Sequence, residues 1–205
     1  MYYSDFSYVD ITRVDKDGIN QKWNRVHISE LDKWRQKMIA LGSKHCFSTI
    51  QRFANEVHTE GEEYISDMYF DLDSDDVIFK ALVDARKLKD FLVTGVGAED
   101  EDCKVFFSGN RGFHFEISAE FVGIQPSVNL CKVLHHIAEF VGDKLSLKTL
   151  DRTVYSKRRM WRMTNTRHGK SGLWKVPFTL AEIGSFDVDR ITELAVSRRT
   201  IEVDV

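Results

Sequence analysis

The stretch Asp67-Met68-Tyr69-Phe70-Asp71-Leu72-Asp73 is an apolar run that ends in two acids one residue apart. In an extended strand successive side chains alternate between faces, so Asp71 and Asp73 point to one side and Leu72 to the other. Two carboxylates then share one small space, where each raises the other's pKa and costs stability unless a cation neutralises them. Paired hard oxygens suit Mg²⁺ or Mn²⁺, and this points to a divalent-metal site for phosphoryl chemistry. Alone, the same residues more often describe a strand that reaches the surface and ends in solvated acids. The rest of the chain has to decide.

A chain of 205 residues suits one domain, or a core with a small appended lobe. With 42% apolar and 30% charged residues it has an ordinary globular composition, which excludes a disordered or fibrous protein. Cys46, Cys103 and Cys131 lie far apart, with no C-x-x-C and no nearby paired histidines, so neither a disulfide framework nor a zinc site is expected. The simpler setting is reducing, intracellular and cytoplasmic. No apolar run approaches the length that spans a bilayer and the N-terminus does not read as a signal peptide, so no membrane role is expected.

The net charge of -3 looks wrong for a nucleic-acid binder until it is mapped along the chain. Acids dominate between Glu56 and Asp102, whereas Lys144 to Lys175 carries ten Lys and Arg against the single acid Asp151. An acidic centre that holds cations beside a basic arm that holds phosphates is one arrangement that produces such asymmetry.

In chain order, Phe6 to Val14 and Ile19 to Ile28 read as two strands joined through Asp15-Lys16-Asp17-Gly18, since Asp-Gly between alternating segments signals a hairpin. Ser29 is expected to cap a helix with Leu31, Trp34, Met38 and Leu41 on one face, and His45 to Phe53 reads as a strand. After Asp73, Ser74 is placed to cap a helix whose stripe is Val77, Ile78, Ala81, Leu82, Ala85, Leu88 and Leu92. The acids therefore sit at the end of a strand as the chain turns toward a helix. Cys103 to Phe107 and Phe113 to Ile117 read as strands around a tight turn. Pro126-Ser127 is expected to start a helix with Leu130, Val133, Leu134, Ile137 and Val141 inward and Gly142 as its stop. His135 and His136 fall off that stripe and read as surface residues. Met160 to Met163 and Trp174 to Phe178 read as late strands, and Asp187 to Val196 as a closing helix.

Two further constellations carry chemistry. In Ser108-Gly109-Asn110-Arg111-Gly112-Phe113-His114, two glycines around a polar turn let backbone N–H groups approach a ligand, and Ser108, Arg111 and His114 offer donors suited to phosphate oxygens. Leu150-Asp151 adds a third carboxylate just ahead of the basic arm, and Arg162 to Gly172 places polar and basic side chains on a Gly-containing turn.

Taken together and in this order, these residues resemble the archaeo-eukaryotic primase superfamily, the catalytic core of DNA primases and primase-polymerases. The resemblance rests on h-h-D-h-D as Tyr69 to Asp73, S-G-x-x-G-x-H as Ser108 to His114, h-D as Leu150-Asp151, and the stretch from Arg162 through His168-Gly169-Lys170-Ser171-Gly172 to Val176-Pro177. It covers roughly residues 67 to 178. It implies an α/β (α+β) fold with an RRM-like mixed or antiparallel sheet flanked by helices and an N-terminal α/β lobe. On that reading residues 1–66 form the N-terminal lobe and 67–205 the catalytic lobe of a single domain.

The resemblance further implies that Asp71, Asp73 and Asp151 hold two Mg²⁺ or Mn²⁺ ions, and that Ser108, Asn110, Arg111, His114, Arg162 and Lys170 hold an incoming NTP or dNTP by its triphosphate. Lys157, Arg158 and Arg159 would meet a single-stranded DNA template and primer, with Trp161 or Trp174 available to stack on a base. Asn110 stands where replicative primases commonly have a second basic residue, and no zinc-binding cysteine cluster is present; this favours a compact primase-polymerase such as those of bacterial mobile elements or CRISPR loci. An accessory domain or protein for initiation is left open. So are two other readings: a primase-like module that binds nucleotide or single strands without turnover, and a D-x-D phosphatase, which would leave Ser108 to His114 unexplained.

Overall fold

The computed structural model describes residues 3–15, 17, 23–43 and 45–201. The expected N-terminal hairpin forms: β1 (Tyr8–Val14) and β2 (Asn24–His27) pair antiparallel with Tyr8 opposite His27 and Ile11 opposite Asn24. In their connection the Asp17 N–H donates to Asp15 Oδ1 at 3.0 Å, while Lys16 and Gly18 lie outside the described residues. After helix α1 (Leu31–Ala40), the segment expected as one strand is β3 (His45–Thr49) and β4 (Gln51–Phe53), interrupted at Ile50. β5 (Tyr64–Ser66) follows. The first sheet runs β5-β4-β1-β3-β9, with β2 on β1, and its last member β9 (Met160–Arg162) comes from the distant basic arm.

The second sheet contains β6 (Met68–Asp73), β7 (Cys103–Phe107), β8 (Gly112–Ile117) and β10 (Val176–Phe178), in the order β10-β7-β8-β6 with antiparallel neighbours throughout. Register divides its residues cleanly. Phe70 faces Phe115, which faces Val105, which faces Phe178, and this set packs with Leu72, Phe113 and Phe107 in the core. Helices α2 (Ile78–Asp90) and α3 (Leu130–Leu145) contribute Ala81, Leu82, Ala85 and Leu88, and Leu130, Leu134, Ala138 and Val141, to the same core. Alternation then leaves Asp71, Asp73, His114, Glu116, Lys104 and Phe106 on the opposite face. The chain closes with α4 (Leu180–Ser185) and α5 (Val188–Leu194). The fold is thus α+β with antiparallel sheets, as the motifs imply. No helix among the described residues is long and apolar enough to cross a membrane.

Several local expectations are corrected. Ser29 does not cap α1: a 3₁₀ turn precedes the helix, and the Ser29 N–H instead donates to His27 Nδ1. Leu41 is exposed, so the small cluster under α1 is Met38 with Cys46 and Met163. Ser74 accepts from Val77 N at 3.2 Å, but α2 begins at Ile78 and Val77 faces solvent. On α3 Val133 and Ile137 point outward and Ala138 takes the inward place. Gly142 does not end α3, which stops at Ser146 in the left-handed region (φ 52°); Gly142 lies inside the helix, at a place where a Cβ would crowd Leu150 Cδ2 at 2.5 Å. Helix α4 was hidden from periodicity by its brevity, although Thr179 and Glu182 form a complete capping box.

One buried ion cluster fastens the hairpin to the arm. Arg25 Nε reaches Asp10 Oδ1 at 2.9 Å, its Nη1 reaches Glu62 Oε2 at 2.9 Å, and its guanidinium lies 3.9 Å from the Phe53 ring centre. Asp10 Oδ2 also receives Arg158 Nε at 2.8 Å. Removing Arg25 would strand the buried Glu62 carboxylate and leave Asp10 with Arg158 alone, and breaking a buried pair in this way costs about 3–5 kcal/mol. An Arg25→Met protein is therefore expected to lose stability on that scale in urea unfolding; a loss below about 1 kcal/mol would show the cluster to be dispensable.

Candidate active site

Strand β6 lies between two antiparallel neighbours. On one side β8 places His114 opposite Asp71 and Gly112 opposite Asp73. On the other, Leu72 bridges Leu150, the Asp151 N–H donates to the Asp71 carbonyl at 2.8 Å and the Asp73 N–H donates to the Thr149 carbonyl at 2.8 Å. Directly opposed residues of antiparallel strands share a face. The row Asp151, Asp71, His114 is therefore set by backbone pairing, with Asp73 two residues along on the same face. Gly112 is the residue that lets Asp73 lie flat against β8, because a Cβ there would collide with the Leu72 carbonyl oxygen and meet Asp73 Oδ1 at 3.1 Å.

The Ser108–Gly112 turn closes on itself, with Ser108 Oγ accepting from Gly112 N at 3.2 Å and from Asn110 N at 3.4 Å. Gly109 has φ 84° and packs against the Leu173–Lys175 backbone, and Ser171 Oγ donates to its carbonyl. Arg111 leans over the acids, donating to the Asp75 carbonyl and lowering the pKa of Asp73 against the effect of burial.

A cavity of about 180 Å³ collects Asp71, Asp73, Ser108, Asn110, His114 and Arg162. Of the expected site residues, Asp151, Arg111 and Lys170 do not line it. Asp151 Oδ1 accepts from Thr153 N at 2.8 Å and Thr153 Oγ1 at 2.7 Å, capping a short 3₁₀ turn. Lys170 is exposed on the turn, and its charge is felt at His168. The basic triplet separates: Lys157 is exposed over the Tyr64 ring, Arg158 goes to Asp10, and Arg159 turns into the cavity. Among the described residues no three His, Cys, Asp or Glu side chains already form a group able to hold a metal ion.

Electrostatics mark this cavity. Burial, then Asp73 and Asp151, push the Asp71 carboxyl up to about 7. Asp73 is also raised, first by burial. His114, lying 3.7 Å from Asp71 Oδ1, is driven well below its ordinary value by burial and by Lys175, Arg162 and Arg159, so its imidazole is neutral. Burial lowers Arg162 to about 10, and its Nη1 sits 2.5 Å from His45 Nδ1, which must therefore act as acceptor. His114 Nδ1 and Arg159 Nε are buried with no hydrogen-bond partner among the described residues.

Residues that motif reading did not assign complete the site. Trp161 packs on His114 at 4.2 Å between ring centres and on Tyr69 at 5.3 Å, and its Nε1 donates to Glu116 Oε1 at 2.6 Å. Lys175, fully buried, donates to the same Glu116 oxygen at 3.3 Å and to the Arg162 carbonyl at 2.9 Å. Trp161 and Trp174 are both largely buried, which makes them packing elements and not free stacking platforms. Phe47 and His168 also line the cavity. Glu116 was visible as the second same-face residue after His114; the Lys175 bond to the Arg162 carbonyl and the approach of Phe47 join separate sheets and had no local signal.

No family model matches the chain. Over 144 residues it is 23% identical to the DNA primase small subunit PriS of Thermoplasma volcanium, a match covering 63% of this chain and 42% of that relative. The chain thus spans less than half of that protein's length. Among solved structures it is similar to the polymerase domain of Mycobacterium tuberculosis Ligase D in complex with DNA, with a TM-score of 0.53, 15% identity, and coverage of 93% of this chain and 82% of that one. A lesser likeness, TM-score 0.43 at 13% identity over 83% of this chain and 49% of the other, is to the primase RepB′. The chain shares the fold of the Ligase D polymerase domain. The sequence likeness to a primase small subunit and the shared polymerase-domain fold together support placement in the archaeo-eukaryotic primase superfamily.

The raised Asp71 carboxyl has a measurable consequence. Folded, it keeps its proton up to about pH 7; unfolded, it loses it near pH 4. Folding therefore takes up a proton in that window, and this group's contribution to stability falls as pH rises through it. Relative to wild type, an Asp71→Asn protein is expected to gain stability between pH 5 and pH 7, by up to about 1.4 kcal/mol per pH unit, in urea unfolding without metal. A margin that stays constant with pH would contradict this.

Proposed function

We propose that this protein is a metal-dependent nucleotidyltransferase that joins nucleotides to a 3′-hydroxyl on a single-stranded DNA template. The observation that carries the reading is the shared face of Asp71, Asp73 and His114 against the Ser108–Gly112 turn, in one cavity with two buried, unpartnered nitrogens. The donor set suits the group it would hold. Carboxylates whose pKa burial and neighbouring acids raise are those a divalent cation would relieve, and Asp71, Asp73 and Asp151 would be its ligands. Mg²⁺ or Mn²⁺ bound there would supply acidification of the attacking hydroxyl and neutralisation of the leaving pyrophosphate.

The chain's own residues do the rest. The Ser108 hydroxyl and the Asn110 amide border the cavity where a triphosphate would lie. Arg159 and Arg162 line the same cavity and offer fixed positive charge in a partly dehydrated space, where developing phosphate charge is stabilised most. A neutral His114, braced by the Trp161 ring, can donate one hydrogen bond to a phosphate oxygen without repelling the metals beside it. Arg111 reaches over Asp73 from outside, and Lys170 on its exposed turn is free to close on the outer phosphates.

A second reading, a module that binds nucleotide without turning it over, is favoured by one feature: Asp151 spends an oxygen on capping its own 3₁₀ turn. Both are decided by incorporation of labelled nucleotides on a single-stranded template with Mg²⁺ or Mn²⁺, with and without primer. Asp73→Ala is expected to reduce incorporation at least about 10³-fold while leaving thermal unfolding within a few degrees of wild type. Wild-type extension by the Asp73→Ala protein would sink the nucleotidyltransferase reading, and metal-dependent nucleotide binding with no incorporation by wild type would select the binding module.

A further inference from the structure

Beside the catalytic cavity lies a groove of about 440 Å³ whose walls include Ser43, Arg167, Trp174 and the glycines at 42, 169 and 172. His168 lines both spaces, so the groove adjoins the cavity that holds Asp71 and Asp73. No carboxylate is among its lining residues, unlike the clefts bordered by Asp32, Asp67 and Glu116 or by Glu30 and Glu56. Trp174 carries one guanidinium from each of two directions, with Arg167 5.1 Å and Arg198 5.0 Å from its ring centre. Cation–π attraction to this one ring draws both cations to the side of the groove. Arg167, Lys170 and Arg198 are exposed, and among the described residues none of them makes an ion pair. Other arginines are already neutralised: Arg158 by Asp10, Arg52 by Asp67, Arg152 by Asp143 and Arg199 by Glu182. The glycine walls leave backbone bare; Gly42 and Gly172 have φ 77° and 76°, and a Cβ at Gly169 would collide with the His45 ring. A chain of phosphates and sugars can approach such a wall closely.

We infer that this groove is the track along which single-stranded nucleic acid reaches the catalytic cavity, with its phosphates on Arg167 and Arg198. The inference rests on the nucleotidyltransferase reading and gives that site its strand path, away from the exposed side of the Lys157–Arg159 triplet. A free nucleotide does not account for the two arginines, because its triphosphate would be served by the cavity residues and Lys170. A strand carries one phosphate per residue, so it alone needs a series of unpaired cations continuing outward from the cavity.

The test is anisotropy of a fluorescent oligothymidylate bound by the full chain across a range of salt. An Arg167→Gln/Arg198→Gln protein is expected to bind about tenfold or more weakly, and to lose about 1.4 from its log–log salt slope, the value for two single-strand phosphate contacts. Arg167→Lys/Arg198→Lys should recover most of the affinity, and thermal unfolding verifies that each variant is folded. Lys132→Gln/Lys144→Gln removes the same charge from α3, across the sheet, and should leave binding near wild type. Unchanged affinity and slope in the Arg167→Gln/Arg198→Gln protein overturns the inference. So does an equal loss in the α3 variant, equal competition by polyglutamate, or no strand binding by wild type. Incorporation assays with Asp73→Ala separate the two readings. If incorporation depends on Asp73 but strand binding ignores the two arginines, the track falls and the nucleotidyltransferase stands. If strand binding needs the arginines but incorporation ignores Asp73, the enzyme reading falls and the track stands.

Discussion

Backbone pairing on both sides of β6 is the interaction on which the rest of this site depends. Because β8 and the 149–151 segment each hold β6 in a fixed antiparallel register, Asp71 is flanked by His114 and Asp151 without any of the three choosing its position. A slip of one residue on either side would send the acid or the histidine into the apolar core formed by Phe70, Leu72, Phe113 and Phe115. The core thereby enforces the site: the burial energy of four large side chains stands against every wrong register. Gly112 is the local condition, since only a residue without Cβ passes beside the Leu72 carbonyl.

The second level of organisation is the traffic of the basic arm between sheets. From Asp151 beside β6 the chain crosses to β9 in the first sheet, then returns through the 163–175 segment to β10 in the second. Two tethers hold the crossing. At one end Asp10 takes Arg158, so that Arg159 turns inward; at the other Lys175 and Glu116 hold the Arg162 carbonyl and the Trp161 indole. The buried Lys175 keeps a partner that offsets its desolvation, yet its charge still reaches His114 and helps to keep that imidazole neutral. Structure and electrostatics are here the same arrangement.

Charge in the protein is sorted by whether the fold has already used it. The acids of the site repel one another and lie partly buried, which leaves them short of a cation. The arginines and lysines of the arm divide into those taken by carboxylates, those turned toward the cavity and those left over around Trp174. A net charge near zero conceals all three populations. This is why the distribution of charge along the chain, and not its sum, was informative.

What the sequence by itself determined follows from short-range rules. Strand alternation put Asp71 and Asp73 on one face, Gly and polar residues closed the Ser108–Gly112 turn, and the three motifs in order were enough to point to a primase-type fold. Helix ends were less legible: Ser29, Ser74 and Gly142 carry the right chemistry for caps and stops, but Ser29 and Ser74 bond within their own turns ahead of the helices and Gly142 is used for close packing on Leu150. Only the tertiary structure decided which neighbours flank Asp71, that Arg158 and Arg159 part company, and that Trp161, Glu116 and Lys175 brace His114 from behind. Those contacts join residues tens of positions apart across two sheets. Local spacing carries no record of such pairings, because they are fixed by register and by the packing of one sheet against the other, not by the residues on either side in the chain.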